Sequence, residues 1–343
     1  MASETSRLLP GLALLLMAIA LLAVWQISRV DFQPATDSID LGKGYTVKLR
    51  QAGESSRQSC PDSIGLAEIL QDDFNKGTLQ MMLWSCVESI RAADQEAAVV
   101  AALPHEWRNE TALQTLQSGE LGKVLYSIDY PISYWPEDGF GLWSLVVTGT
   151  GHNLAVFLNG KLLGWGGSFA QPYARNHARP LEFSIPDGNL KEGNNRFDIL
   201  VVSEMPSEGF LGKVYIAPTE MLRSAYRVYH FFRFIAPQII ALGMATLGVL
   251  MGLLWLYRRT DPEYGLFGLI GVFWSVHTLD QFIVSIPLST AHWNALIYGS
   301  LACWCCVPSC LSSVLGRKIL GVGAAFNLAG AGGSGRVMAG ACQ

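Results

Sequence analysis

Two sets of side chains in this chain have types and spacing that could do chemistry. The first is aromatic and basic: Tyr134, Trp135, Trp165 and Tyr173, followed by Arg175 and His177 in a loop after Pro172. Flat aromatic faces stack on sugar rings and other planar ligands, and a guanidinium beside an imidazole holds an anion. Trp135 and Trp165 are the better stacking candidates, because they lie in turn-like segments flanked by Pro and Gly. The plainer reading makes these aromatics, with Tyr130 and Trp143, the core and rim of a domain and the basic loop a solvated one. The second set is His277 and Asp280, three residues apart in an apolar stretch. That spacing puts them on one helix face, and ionisable groups at membrane depth face a bundle interior or water. They would relay a proton or a signal, or else make a structural polar contact near the membrane surface.

Other candidates carry less. His105 and Glu106 adjoin, so on an extended strand they point to opposite faces and do not form an acid/base pair. Asn109-Glu110-Thr111 fits the glycosylation pattern, a frequent chance match. The chain has no P-loop, no G-x-S-x-G elbow, no H-E-x-x-H and no kinase glycine boxes. Cys303, Cys305, Cys306 and Cys310 lack zinc-type pairing and nearby histidines. No catalytic residue, metal or cofactor is expected.

These groups must be positioned by two physical regimes in one polypeptide. Of 343 residues, 50% are apolar and only 15% charged, which is too hydrophobic for an ordinary soluble protein. The formal charge of −4 comes without runs of like charge, so nucleic acid is excluded as a partner. Apolar stretches run from Leu8 to Val24, Phe234 to Tyr257, Tyr264 to Ile286 and Ala295 to Leu315. A hydrocarbon core about 30 Å thick needs about 20 helical residues, so each approaches or exceeds a membrane span. Residues 1–28 are then an anchor or a signal segment, 31–230 an exported domain, 234–316 three spans, and 317–343 a Gly/Ala-rich tail. Arg258 and Arg259, and Arg317 and Lys318, mark the cytoplasmic side, which places residues 31–230 outside. An oxidising exterior permits a Cys60–Cys86 bridge; two unpaired thiols are the alternative.

Within the exported stretch, Val124, Tyr126, Ile128 and Tyr130 alternate with Leu125, Ser127 and Asp129, and Leu181, Phe183 and Ile185 alternate with polar neighbours. This is the period of a half-buried sheet. Asn159-Gly160 between Leu154–Leu158 and Lys161–Leu163 predicts a type I′ hairpin, since both residues tolerate positive φ. Asp187 to Asn195 reads as a loop, Phe197 to Val202 and Val214 to Ile216 as strands. With no helical pattern between the strands from Gly122 to Pro218, the expected fold is an antiparallel β-sandwich joined to an incomplete α-helical membrane bundle.

Leu103-Pro104-His105-Glu106-Trp107, the Val156-Phe157-Leu158-Asn159-Gly160 hairpin with Leu163-Gly164, and Pro186 followed by Leu190, Glu192, Gly193, Asn194 and Asn195 resemble the jelly-roll, galactose-binding-like sugar-binding domain of glycoside hydrolase family 2. The same jelly roll serves as periplasmic sensor in the bacterial seven-transmembrane receptors with diverse intracellular signalling modules. A hydrolase would continue into a catalytic barrel. This chain runs through Tyr226–Phe232 into a membrane stretch, and Gly252 to Leu279 is similar to the first cytoplasmic turn of the receptor family's membrane domain. The resemblance covers roughly residues 100 to 300. It implies the input portion of a bacterial inner-membrane receptor, most often a sensor histidine kinase in its intact form, with a diguanylate cyclase next. The implied partners are a small periplasmic ligand, with carbohydrate among the candidates, the lipid bilayer and a second copy in a homodimer. A membrane-tethered carbohydrate-binding or carbohydrate-processing protein is the rival.

The chain departs from that family in having three post-sensor spans rather than seven and no output domain. Residue usage also changes beyond Gly299, where Cys303-Trp304-Cys305-Cys306 precedes the Gly/Ala-rich run. The expectation is a reading-frame change, with the natural product continuing past about residue 300 in a different sequence.

Overall fold

The computed structural model describes residues 15, 19, 22, 29–43, 45–52, 60, 76–93, 99–109, 122–132, 141–169, 172–204 and 209–307. Two compact units emerge: Ala18–Ala241 with Thr278–Ile297, and Met1–Met17 with Leu242–His277 and Tyr298–Gln343. Residues 278–297, expected within the membrane segment, therefore fold with the β-rich stretch.

The first unit is built on β1 (Ile39–Asp40), β2 (Val47–Gln51), β3 (Val99–Ala101), β4 (His105–Glu106), β5 (Gly122–Ile132), β6 (Trp143–Val147), β7 (Asn153–Leu158), β8 (Lys161–Trp165), β9 (Leu181–Ile185), β10 (Gly193–Ser203), β11 (Phe210–Leu211) and β12 (Val214–Pro218). Antiparallel pairing gives one sheet in the order β1-β12-β6-β9 and another in the order β3-β2-β5-β10-β7-β8, with β4 and β11 as a small third pair. From β5 onward the chain crosses repeatedly between the two larger sheets, a jelly-roll-like sandwich. Val124, Tyr126 and Ile128 of β5, with Phe197, Ile199 and Val201 of β10, meet Leu145, Val147, Phe183 and Ile216 of the opposite sheet in one core. Period-two apolar patterning explains this directly, because alternate side chains share a face.

Asn159 (φ 51°) and Gly160 (φ 83°) turn the β7–β8 hairpin through the left-handed region, where Asn and Gly are tolerated best. The loop expected over 187–195 is shorter than its composition implies. Strand β10 begins at Gly193, where pairing with Ile132 overrides the weak strand propensity of Gly and Asn.

The half-buried reading of β5 fails on one face. Leu125 is as buried as its neighbours, because helix α1 (Lys76–Ala93) covers the outside of the larger sheet. Leu79, Leu83, Val87 and Ile90 of α1 pack on Leu125, Ala155, Phe157, Leu200 and Val202. Helix α1 comes before the Gly122–Pro218 stretch in sequence and packs back on it: the odd-numbered face of β5 is apolar at Leu125 because α1 lies on it. Two further ties hold α1. Cys60 and Cys86 form a disulfide, and the buried Asp198 carboxylate of β10 accepts from Arg91 of α1 at 2.8 Å and from Ser127 at 2.7 Å.

After β12 the chain enters α2 (Thr219–His230), a π turn (Phe231–Ile235) and α3 (Ala236–Tyr257) without a break. Together Thr219–Tyr257 is a 39-residue helix long and apolar enough to cross a membrane, and among the described residues it is the one helix that meets that test. In the second unit α3 lies against α4 (Pro262–Thr278) through glycines. A Cβ on Gly268 would stand 2.9 Å from the Gly248 carbonyl, and one on Gly271 3.0 Å from the Gly248 Cα. Backbones approach this closely where small residues meet, the usual device when no water drives helices together. The expected third span, Tyr264 to Ile286, ends early as a helix. α4 is 17 residues, about 25 Å of helix, and a 3-10 turn at Leu279–Gln281 leads into non-helical residues up to 289. Helix resumes over residues 290–307, here α5. Of the expected first span only Leu15, Ile19 and Leu22 are described, each helical; the Gly/Ala-rich tail lies outside the described residues.

Candidate functional site

The candidate site lies in the first unit, where the loop following β8 meets residues 278–297, hereafter the connector. Two buried asparagines shape that loop. Asn153, at the start of β7, donates to the carbonyls of Gly167 (3.0 Å) and Ser168 (2.9 Å), and Asn176 donates to the carbonyl of Gly166 at 2.9 Å. The backbone N–H of Asn176 also bonds the His152 carbonyl at 2.8 Å. Gly167 sits at φ 137°, a conformation only glycine takes without strain, and a Cβ there would press on Ala174. The loop is therefore fixed by β7, and it aims Arg175 at the connector.

Arg175 is 7% exposed, so its charge requires partners, which its two Nη nitrogens find while Nε has none. Nη1 donates to Asp280 Oδ1 at 2.9 Å, Nη2 donates to Asn294 Oδ1 at 2.7 Å, and Glu204 Oε2 lies 3.5 Å from Nη2. The backbone N–H of Arg175 donates to the Val284 carbonyl at 2.9 Å. Asp280 also accepts from Trp293 Nε1 at 2.6 Å, and its other oxygen stands 3.6 Å from His177 Nε2. Glu204, just after β10, accepts from Thr290 at 2.9 Å. Ile286, Trp293 and Ile297 form an apolar cluster of the connector, with Leu279 and Ile283 against it. Guanidinium geometry suits this task, because its planar fork offers several donors in fixed directions.

The same loop reaches the start of the long helix. Tyr226 of α2 donates to the Pro180 carbonyl at 3.3 Å, and the Arg179 guanidinium lies 5.5 Å from the centre of the Phe234 ring in the π turn. One nine-residue loop, 172–180, thus touches both chain segments that connect the sandwich to apolar helices.

His152 completes the cluster. It is 3% exposed, its Nδ1 lies 3.0 Å from Ser203 Oγ, and the Glu204 N–H donates to Nδ1 at 3.4 Å. Burial pushes its pKa down to about 3, reinforced by the charge of Arg175 and by His177 and opposed by Asp280. The ring is neutral at physiological pH, so its 3.8 Å approach to Glu204 is no ion pair. A histidine held below its unfolded value near 6.5 contributes stability that is complete above that value and is lost as pH falls toward 3. At pH 5 the loss is about 2 kcal/mol. We expect His152→Gln to flatten the acid limb of the unfolding curve between pH 6.5 and 4; parallel wild-type and variant slopes there would refute this.

The residues singled out from sequence fall in different places. Arg175, His177 and Asp280 come together. Tyr173 is buried and Trp165 half-buried beside the cluster under α1, while Tyr130 is core. Tyr134 and Trp135 lie outside the described residues. His277 belongs to the other unit, its ring 6.1 Å from that of Trp274. The helical face expected to join His277 and Asp280 ends at Thr278, because Asp280 is drawn into the 3-10 turn. His105 and Glu106 diverge: His105 bonds the Tyr126 hydroxyl at 2.9 Å, and Glu106 pairs with Arg108. Sequence reasoning did not find Glu204, Asn294, Thr290 or His152 as members of the site. Nothing in their local spacing marks them, since three separate segments bring them in: α5 carries Thr290 and Asn294, Glu204 follows β10 and His152 precedes β7.

Among the described residues no group of three or more His, Cys, Asp or Glu could hold a metal. The arrangement is an ionic latch between a sandwich loop and the connector.

No protein-family model matches the chain, and no curated protein does. Among solved structures it is similar to the GH2 β-galacturonidase from Eisenbergiella tayi bound to galacturonate, with 13% identity over 55% of this chain and 26% of that one and a TM-score of 0.32. It is also similar to the Bifidobacterium dentium β-glucuronidase complexed with coumarin-3-O-glucuronide (18% identity, 48% and 19% of the two chains, TM-score 0.26) and to the Faecalibacterium prausnitzii β-glucuronidase (14%, 50% and 22%, TM-score 0.30). The chain spans about a quarter of those structures or less. Likenesses of this depth establish neither an activity nor a ligand.

Proposed function

We propose that this chain is the input portion of a bacterial inner-membrane receptor, whose intact form is a sensor histidine kinase. Its extracytoplasmic sandwich takes up a small ligand, with carbohydrate the first class to test, and passes the change to the membrane helices. One observation carries the reading: loop 172–180 is bonded at once to α2 and the π turn, through Tyr226 and Phe234, and to the connector, through Asp280 and Asn294. A sandwich that served only as a tethered binding module has no need of a buried arginine joined to an inter-helix loop. Any ligand that shifts this loop biases both segments, provided it binds the two loop positions with different affinity.

The test is topological. In a chain with Cys303, Cys305, Cys306, Cys310 and Cys342 replaced by serine, Asp187→Cys in an exposed turn should react with a membrane-impermeant maleimide in intact cells with a permeable outer envelope. Arg259→Cys should react only after the inner membrane is opened. Labelling in the reverse order removes the receptor reading. Glycan binding to the full chain in nanodiscs, without altered hydrogen exchange over residues 278–297, would favour the tethered binding protein.

A further inference from the structure

Among the described residues, Arg179 is a half-buried cation without an anion. Its backbone N–H is fixed to the Asn176 carbonyl at 3.0 Å, and its guanidinium lies 5.5 Å from the centre of the Phe234 ring. Nε is buried and meets no acceptor. The two Nη nitrogens are accessible, and no hydrogen bond or ion pair holds them. Glu182 of β9 bears on Tyr226 together with Arg179, yet the two form no ion pair. By contrast Arg91, Arg175, Arg196 and Arg258 each pair with a carboxylate.

The ring under Arg179 fixes its depth. Tyr226, His230 and Phe234 form a ladder along α2 and the π turn, with centroids 5.5 and 5.2 Å apart, and Tyr226 at its top donates to the Pro180 carbonyl. Arg179 lies against the last rung. Between Arg233 and Arg258 the helix carries no charged side chain. That length of helix, about 37 Å, exceeds a hydrocarbon core of about 30 Å by a few ångströms at each end, which puts residues 233 and 234 at the level of the lipid phosphates.

We propose that Arg179, seated on Phe234, holds the phosphate of an anionic phospholipid. Its two free Nη nitrogens suit two phosphate oxygens, the paired geometry in which a guanidinium binds best. An anionic headgroup fits better than a zwitterionic one. The helix here carries Arg227 and Arg233 and no acid between Glu220 and Asp261, so an added ammonium would meet like charge. A phosphate held in this way pins loop 172–180 to the headgroup layer. Such a site needs only that Thr219–Tyr257 cross a bilayer, whichever side the sandwich faces, so its failure leaves the Asp187→Cys labelling result untouched.

Native mass spectrometry of the full chain, released from nanodiscs of phosphatidylcholine and phosphatidylglycerol in equal parts, tests this. Wild type should retain phosphatidylglycerol in preference to phosphatidylcholine. Arg179→Gln should cut that retention about tenfold, the order of one charge-assisted hydrogen bond. Arg179→Lys should keep part of it, since an ammonium still binds phosphate as a point charge. Arg223→Gln removes the same charge from a residue paired with Glu220, further from the apolar run, and should change nothing. Inorganic phosphate added to the nanodiscs should not displace the lipid. Equal retention by wild type and Arg179→Gln, an equal loss with Arg223→Gln, or displacement by inorganic phosphate would each overturn the site, the last in favour of a soluble anion. If Arg179→Gln does not insert, Phe234→Leu keeps the cation and removes its seat; it should lose the same preference, and an unchanged preference there also overturns the site.

Discussion

Arg175→Ala is expected to destabilise the sandwich unit by about 3–5 kcal/mol, the usual consequence of removing one partner from a buried ion pair. The substitution strips Asp280 and Glu204 of their cation while both carboxylates stay largely shielded, at 22% and 13% side-chain exposure. It also releases Asn294, leaving the connector held by its apolar cluster, by the Thr290–Glu204 bond and by the backbone bond from residue 175 to the Val284 carbonyl. Thermal unfolding of the purified chain in lipid nanodiscs measures the loss, and hydrogen exchange over residues 278–297 should quicken with it. Arg175→Lys should recover only part of the stability. One ammonium cannot reproduce the two separate guanidinium nitrogens that reach Asp280 and Asn294. Combining Arg175→Ala with Asp280→Asn should cost less than the sum of the two alone, because the second change removes the charge orphaned by the first. A loss below about 1 kcal/mol for Arg175→Ala, the range of a surface pair, would mean that the latch is solvated and does not hold the connector.

The second large effect concerns α1. Replacing Cys60 and Cys86 by serine opens a cross-link across a sequence separation of 26, and the chain-entropy account assigns such a loop about 3 kcal/mol. The position of the bridge makes a local consequence certain to be read. Cys86 lies on the face of α1 that packs on Phe157 and Leu200, so the freed chain loses the tether that keeps α1 over the sheet. The Arg91–Asp198 pair is then the remaining polar tie of α1 described here, while Asp198, 1% exposed, keeps Ser127 and Arg196 as its other partners. Unfolding curves in the presence and absence of reductant should separate by the same amount as wild type and double-serine variant. Coincident curves would show that the apolar contact of α1 suffices.

Both effects arise at places the sequence marked only in part. Arg175, His177 and Asp280 were each conspicuous by type, a basic pair in a loop and an acid in an apolar stretch. Their meeting was not, because it joins positions 105 residues apart through a loop whose course depends on Asn153 and Asn176 reaching its carbonyls. For Trp165 and Tyr173 only the fold gives the burial: Tyr173 is buried, and Trp165 is half-buried beside the cluster under α1. Alternation within β5 is silent about α1, whose apolar side chains cover Leu125 from a separate stretch of chain.

What the sequence determined by itself is the part governed by local periodicity. Alternation of apolar residues places β5 and β9, short apolar runs place β10 and β12, Asn159-Gly160 sets the hairpin, and an uninterrupted apolar run makes a helix that can cross a membrane. These depend on the two-residue and 3.6-residue repeats of the backbone, which a single stretch of chain displays in full. Tertiary structure alone decided which charges pair, which face of β5 is covered, and that residues 278–297 fold with the sandwich instead of continuing α4. A repeat states which side of an element is apolar and is silent about what lies against it. Arg175 gains its partners only once β7, β10 and the connector are in place, since a guanidinium leaves water only where several oxygens already wait for it.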